Sequence, residues 1–184
     1  MQGAVFSRDR VHRYWLWRTF DRGIGRVAFI GLNPSTANEV RDDPTVSRCI
    51  RYAQEWGFGR LDMLNVFAFR ATDPKEMRAA PDPVGPDNDE WLLGITGEVD
   101  LVVAAWGTHA AHLGRGPQVR ELLGGIQLHH LGLTRGGYPY HPLYRPGARF
   151  RHGAAKHPPP WPLGPRMAKR SRKPVLAQRF TASS

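Results

Sequence analysis

The chain has 184 residues, of which 41% are hydrophobic and 23% charged, and this composition predicts one globular domain and excludes a wholly disordered protein. Its single cysteine, Cys49, excludes a disulfide framework and a cysteine-rich zinc site. No apolar run reaches the ~18 residues that a membrane span needs, and no apolar signal segment opens the chain, so we expect a cytoplasmic protein.

The formal net charge of +10 lies almost entirely at one end of the chain. Residues 149–184 carry nine Lys and Arg and no acidic residue, whereas residues 1–148 are nearly neutral. The same end is rich in proline. We therefore predict a folded domain over 1–150 and an extended or disordered basic tail over 151–184, which would contact nucleic-acid phosphates. Deleting the tail should then weaken non-specific DNA binding and leave the folded domain intact.

The first third of the chain contains two predicted strands and a predicted helix. Residues 11–20 alternate in part and are rich in aromatic side chains, and residues 27–32 form an apolar run typical of a strand buried on both faces. We interpret this region as an N-terminal hairpin that leads into a central strand. Residues 45–56 repeat apolar side chains at helical spacing, and Asp43 before Pro44 is typical of a helix start.

The remainder of the folded part alternates between apolar runs and helical patterns. Each apolar run is short and bounded by turn residues, which favours buried strands over helices. The predicted elements are strands over 61–69, 101–107 and 126–133 and helices over 88–98 and 118–123. This alternation predicts an α/β fold, a three-layer sandwich with a mostly parallel central sheet.

Polar residues follow the predicted buried strands at their carboxyl ends, where parallel sheets bind ligands. Several amide and imidazole groups would therefore meet at one edge of the sheet. The candidates are Leu32, Asn33, Pro34, Ser35 and Thr36 after the first buried strand, Asn65 and Arg70 in and after the second, Trp106 and Gly107 at the end of the third, and His141 and Tyr144 after the fourth.

Each of these candidates also has a structural interpretation. Asn33 to Thr36 have the residue types of a turn and a helix cap. A buried Asn65 must find several hydrogen-bond partners, and it could bridge to a loop. Trp106 is favoured as a core residue. The histidines lack the spacing of a metal site, so we predict no metal and no other cofactor.

Six segments, in chain order, resemble a bacterial and phage family designated only as a domain of unknown function, number sixteen-forty-three. The resemblance covers roughly residues 11–145 and implies no activity, because none is established for that family. The segments are Arg13-Tyr14-Trp15-Leu16-Trp17, Gly31-Leu32-Asn33-Pro34-Ser35-Thr36-Ala37, Asp42-Asp43-Pro44-Thr45-Val46, residues 65–74, Trp106-Gly107 and His141-Pro142-Leu143-Tyr144.

The same landmarks are similar, more distantly, to the uracil-DNA glycosylase superfamily. The segment over 31–35 is similar to the loop that carries that superfamily's water-activating residue, and the segment over 64–70 is similar to the strand whose Asn reads the base. Residues 104–107 are similar to a strand end of the superfamily. His141-Pro142 matches the start of a late loop, and the chain departs from the pattern after these two residues.

This second resemblance implies a uracil-DNA glycosylase-like fold and a DNA N-glycosylase-like activity on uracil or a modified pyrimidine. Asn33 would position water, and His141 would stabilise the departing base anion. Base or substrate contacts would come from Leu32, Pro34, Ser35, Thr36, Asp43, Asn65, Arg70, Trp106, Gly107 and Tyr144.

Two alternatives remain open. The first is a non-catalytic module that binds a nucleobase or nucleic acid on the same fold. The second is a metal-dependent nucleotide hydrolase or transferase in which Asp42, Asp43 and Asp73 hold the metal. In each case the partner is nucleic acid or a nucleotide, and we expect a monomer that does not bind membranes.

Overall fold

The central sheet has six strands in the computed structural model, which describes residues 1–144 and 158–162. The order across the sheet is β1-β2-β4-β3-β5-β6, and the strands are β1 (Gln2–Phe6), β2 (Arg13–Thr19), β3 (Arg26–Gly31), β4 (Arg60–Asn65), β5 (Leu101–Ala104) and β6 (Leu128–His130). Strands β4, β3, β5 and β6 are parallel, whereas β1 pairs antiparallel with β2, and β2 with β4. The α/β fold is confirmed, and its sheet is mixed.

Helices cover both faces of this sheet. They are α1 (Pro44–Glu55), α2 (Pro74–Ala79), α3 (Asn88–Thr96) and α4 (Arg115–Leu122), with 3₁₀ turns over Thr108–Gly114 and Pro142–Tyr144. One apolar cluster joins α1 to one face, and a second joins α2, α3 and α4 to the other, so the packing has three layers. No helix within the described ranges has the length and apolar character that crossing a membrane requires.

Aspartate before proline starts two of the helices. The Asp43 carboxylate accepts a hydrogen bond from the Val46 backbone N–H at 2.8 Å, which confirms the predicted start of α1. Asp73 caps α2 in the same way, accepting from the Lys75 N–H at 2.8 Å. From the sequence we predict no helix over 74–79, although Asp73-Pro74 has the same residue types as the helix start at Asp43-Pro44.

The strands are shorter than the apolar runs that predict them. The run over 61–69 leaves the regular ladder after Asn65, where the Val66 N–H bonds to the Gly31 carbonyl at 2.9 Å and the following residues pair with loops. The runs over 101–107 and 126–133 contribute only Leu101–Ala104 and Leu128–His130. The N-terminal hairpin joins β1 to β2, and no strand was predicted over 2–6.

Residues 158–162, which fall within the predicted tail, lie extended against β6. The His130 N–H bonds to the Pro159 carbonyl at 3.1 Å, and the Trp161 N–H bonds to the Leu128 carbonyl at 2.7 Å. Trp161 is 9% exposed, and its ring centroid lies 5.7 Å from that of Trp106. This part of the predicted tail is therefore packed, while 151–157 and 163–184 lie outside the described residues.

Candidate functional site

The loops that follow the parallel strands meet at the carboxyl edge of the sheet. Asn65 at the end of β4 pairs in register with Gly31 at the end of β3, and Ile30 pairs with Ala104 at the end of β5. The predicted convergence of strand ends is therefore present for these three strands. Ligands bind at such edges because the chain leaves the sheet there and frees its polar groups.

Asn65 is the most unusual side chain at this edge. It is 3% exposed, and its Nδ2 has no hydrogen-bond partner within the described part of the chain. A Cβ on Gly31 would lie 2.9 Å from Asn65 Oδ1, so the glycine makes room for the amide. A buried amide donor without a partner is costly, and a bound ligand can supply the acceptor that it needs.

Replacing Gly31 with alanine should disturb Asn65 directly. The added methyl group forces the amide to move, so we expect a loss of about 1–3 kcal/mol in unfolding free energy, as for other overpacked sites. The side-chain NH₂ resonances of Asn65 should shift in ¹⁵N NMR spectra. The matched control is Gly136→Ala, where the nearest atom to an added Cβ is 3.7 Å away. Unchanged Asn65 resonances in Gly31→Ala would contradict this packing.

Asn33 uses its amide nitrogen to hold two loops together. Its Nδ2 donates to the Ala71 carbonyl at 2.8 Å and to the Pro34 carbonyl at 3.0 Å. The loop after β3 is thereby fixed to the loop after β4. Because Nδ2 makes these bonds, Oδ1 is the group of Asn33 that can accept a hydrogen bond from water.

Asp43 acts through its charge on two other polar side chains of the site. Its carboxylate is buried, caps α1, and raises the pKa of both Arg13 and His141 through its charge. Arg13 is 2% exposed, and burial lowers its pKa to about 10. The Arg13 Nη1 donates to the Ala37 carbonyl at 2.9 Å. Arg13 was not among the predicted site residues, although an arginine within an aromatic strand is an unusual signal.

The His141 side chain lies next to Gly107, which follows the end of β5. The Gly107 N–H donates to the Pro139 carbonyl at 2.9 Å, and a Cβ on Gly107 would lie 3.5 Å from that of His141. Gly107 has φ +71°, a conformation that favours glycine. The Leu143 N–H donates to Nδ1 of His141 at 3.4 Å, so Nε2 carries the hydrogen of the neutral ring.

The charge state of His141 makes stability depend on pH. Burial lowers its pKa from 6.5 to about 4, Asp43 raises it and His109 lowers it. Between these values the unfolded chain binds a proton that the folded chain cannot bind. The unfolding free energy should therefore fall as the pH drops through this window, by up to about 1.4 kcal/mol per pH unit.

Denaturant unfolding at pH 7 and pH 5 measures this dependence. His141→Gln should reduce the difference between the two pH values, whereas His112→Gln, at a half-buried histidine outside the site, should leave it nearly as large as in the wild type. An unchanged pH difference in His141→Gln would contradict a half-buried imidazole that stays neutral in the folded chain.

Other predicted contact residues bond to neighbouring loops, are buried in their own loop or are exposed. Ser35 Oγ donates to Thr72 Oγ1 at 3.3 Å, and Arg70 donates to the Arg10 carbonyl at 3.0 Å. Thr36 is exposed, Pro34 is buried in its loop, and Tyr144 is exposed with its ring 5.3 Å from that of His141.

Trp106 and Leu32 belong to the core. Both are buried in the apolar cluster on the face that packs against α3 and α4, whereas Asn65 follows Leu61 and Met63 on the α1 face. The structure thus places Trp106 in the core, as its structural interpretation predicts, and its role as a base contact stays a prediction.

The three aspartates of the metal hypothesis have separate partners. Asp42 pairs with Arg18 at 2.8 Å, Asp43 caps α1 and Asp73 caps α2. Across residues 1–144 and 158–162, no group of three or more His, Cys, Asp or Glu side chains could hold a metal ion.

A cavity of about 290 Å³ lies at the opposite edge of the sheet, apart from this site. It is lined by Trp15, Arg26, Arg60, Ile95 and Glu98. Arg26 and Arg60 both bind the buried Asp62, and Arg26 also binds Glu98, so the charges there are already paired.

Comparison with known proteins agrees with the motif pattern. A family model described as "Protein of unknown function (DUF1643)" matches residues 13–143, which include the site residues from Arg13 to His141. No curated protein and no solved structure matches the chain.

Proposed function

Because the chain belongs to this family of unknown function, we propose its function from the site itself: it is a DNA N-glycosylase-like protein that binds an extruded uracil-like or modified pyrimidine base. The observation that carries the proposal is the buried Asn65 Nδ2 without a partner at the carboxyl edge of the sheet. A pyrimidine carbonyl supplies the acceptor that this donor needs. The motif resemblance to the uracil-DNA glycosylase superfamily supports the same reaction class.

The reaction is hydrolysis of the bond between the sugar C1′ and the base nitrogen. The bond breaks with its electron pair going to the base, and water adds its oxygen to C1′. The proton that water loses ends on the base. Asn33 Oδ1 would orient the water, since an amide positions a nucleophile better than it deprotonates one.

His141 suits the leaving group as a neutral hydrogen-bond donor. Its Nε2–H would donate to the negatively charged oxygen that develops on the base, as donors do in an oxyanion hole. Because burial lowers its pKa to about 4, the ring is neutral at pH 7 and stabilises charge by hydrogen bonding. The charge of the Asp43 carboxylate raises the pKa of His141, against the effect of burial.

One observation favours a second candidate, a base-binding module without catalysis. The Nδ2 of Asn33 is committed to the Pro34 and Ala71 carbonyls, which is what a purely structural loop residue would do. In that case Asn65 still reads the base, and no water is positioned.

Incubation with DNA duplexes that contain uracil, a mismatched base or a hypermodified base tests the proposal. We expect abasic sites to form on at least one duplex, and His141→Ala to slow their formation by about 100-fold or more. Asn33→Ala should slow it too, and circular dichroism checks that each variant folds. Binding without abasic product from any duplex would select the base-binding module. Activity that survives in both variants would overturn the site assignment.

A further inference from the structure

The N-terminal hairpin contains a β-bulge at the start of β2. Val5 pairs with Trp15, whereas the next residue, Phe6, pairs with Arg13, so two steps along β2 oppose one step along β1. A bulge of this kind reverses the alternation of side chains in the bulged strand and redirects one of them.

The ring contacts show which side chain is redirected. Tyr14 and Trp15 are consecutive, and yet both stack on Trp91 of α3, with ring centroids 6.4 and 5.8 Å apart. Leu16 packs in the cluster on the α1 face. The bulge therefore turns Arg13 to the α1 face, where its Nη1 meets the Ala37 carbonyl.

Asn65 lies on the same face of the neighbouring strand. It follows Leu61 and Met63, which belong to the α1-face cluster, at the strand period of two. The Arg13 N–H donates to the Ala68 carbonyl at 2.9 Å, so Arg13 lies beside the chain three residues beyond Asn65. A ligand that contacts both side chains would lie on the α1 face between them.

Each of these two side chains also buries an unsatisfied donor. Neither Arg13 Nε nor Asn65 Nδ2 has a hydrogen-bond partner within the described ranges, and the residues are only 2% and 3% exposed. The charge of Asp43 raises the pKa of Arg13, whereas the charges of Arg70 and Arg18 lower it. A site with two open donors fits a ligand that offers two acceptor atoms.

We propose that Arg13 is a binding residue of this site, and that its Nε–H and the Nδ2–H of Asn65 hold the two oxo groups of an extruded pyrimidinedione base. This inference rests on the proposed function, and it states which bases the site would select. A uracil-type base offers two oxo oxygens, whereas cytosine replaces one of them with an amino donor that would oppose these groups.

Fluorescence anisotropy with single-stranded oligonucleotides tests this specificity. The probes carry one 2′-fluoro-2′-deoxyuridine, which resists hydrolysis, one 2′-fluoro-2′-deoxycytidine, or one tetrahydrofuran abasic residue. Contacts to the backbone are common to all three probes, so only the differences between them report on the base. We expect the uridine probe to bind at least about tenfold more tightly than the other two, as one hydrogen bond to a charged donor would give.

Two arginine variants separate the donor from the charge. Arg13→Lys keeps the charge and removes Nε, so it should abolish the preference for the uridine probe. Arg18→Lys is the matched control, because Arg18 is 4% exposed on the same strand and pairs with Asp42 instead. It should keep the preference. A preference retained in Arg13→Lys and lost in Asn65→Leu would overturn the role of Arg13 and leave base recognition standing.

A measurement on the wild-type chain covers the case in which Arg13→Lys fails to fold. The Arg13 Nε–H resonance in ¹⁵N NMR spectra should shift on addition of the uridine probe and stay in place with the abasic probe. An unmoved resonance in the presence of a tightly bound uridine probe overturns the inference alone. Equal binding of all three probes by the wild type overturns both this inference and the proposed function.

Discussion

Replacing Asp62 with alanine should lower the free energy of unfolding by about 3 kcal/mol, because the change removes a buried carboxylate and leaves two half-buried arginines without their anion. The Asp62 side chain is 0% exposed and accepts hydrogen bonds from Arg26 and Arg60, both at 3.0 Å, and from Trp15 Nε1 at 2.9 Å. These bonds join β2, β3 and β4 at the edge opposite the candidate site.

Urea denaturation measures this effect. Asp62→Asn keeps the volume of the side chain and removes the charge, so it separates the ionic contribution from the cavity left by alanine. Asp21→Ala, at an exposed turn, is the control and should change stability little. An Asp62→Ala protein as stable as Asp21→Ala would show that the three partners do not depend on the carboxylate.

Replacing Trp161 with alanine should cost about 3 kcal/mol, the low end of the range for a buried aromatic side chain. Trp161 packs against Trp106, and the Arg120 guanidinium lies 4.5 Å from its ring centroid. Pro159→Ala is the control in the same segment, because it keeps the backbone carbonyl that bonds to His130.

The same burial changes the expectation for removal of the predicted tail. A chain ending at residue 150 lacks Trp161 and should unfold at lower denaturant concentration than the full chain. A chain ending at residue 162 keeps Trp161 and should match the full chain in stability. Equal stability of all three chains, measured by urea denaturation, would contradict a structural role for residues 158–162. Loss of DNA affinity in the chain ending at residue 162 tests the basic residues separately.

The sequence predicts best where one local pattern decides the structure. Helix α1 has both a start signal at Asp43 and apolar side chains at helical spacing, and both are confirmed. The convergence of Asn65 with Gly31 follows from the parallel order of two apolar runs. These features need only the residues of one element and the general geometry of parallel sheets.

The features that the sequence does not predict depend on distant residues. Arg13 faces the site because β1 and β2 pair with a one-residue bulge, and the register of that pair cannot be read from β2 alone. Asp62 lies within a strand pattern that gives no sign of its arginine partners. Proline-rich composition predicts that residues 151–184 do not pack, yet one tryptophan in this segment completes the core.

The segment over 158–162 also determines how the sheet ends. An exposed edge strand offers free N–H and C=O groups on which another chain can add a strand. Pro159, Pro160 and Pro162 have no N–H, and the one N–H between them, that of Trp161, is already bonded to β6. The donors for a further strand are therefore missing on this side, and self-association through strand addition is blocked there. Among the described strands, β1 is left as the edge that remains open to another chain.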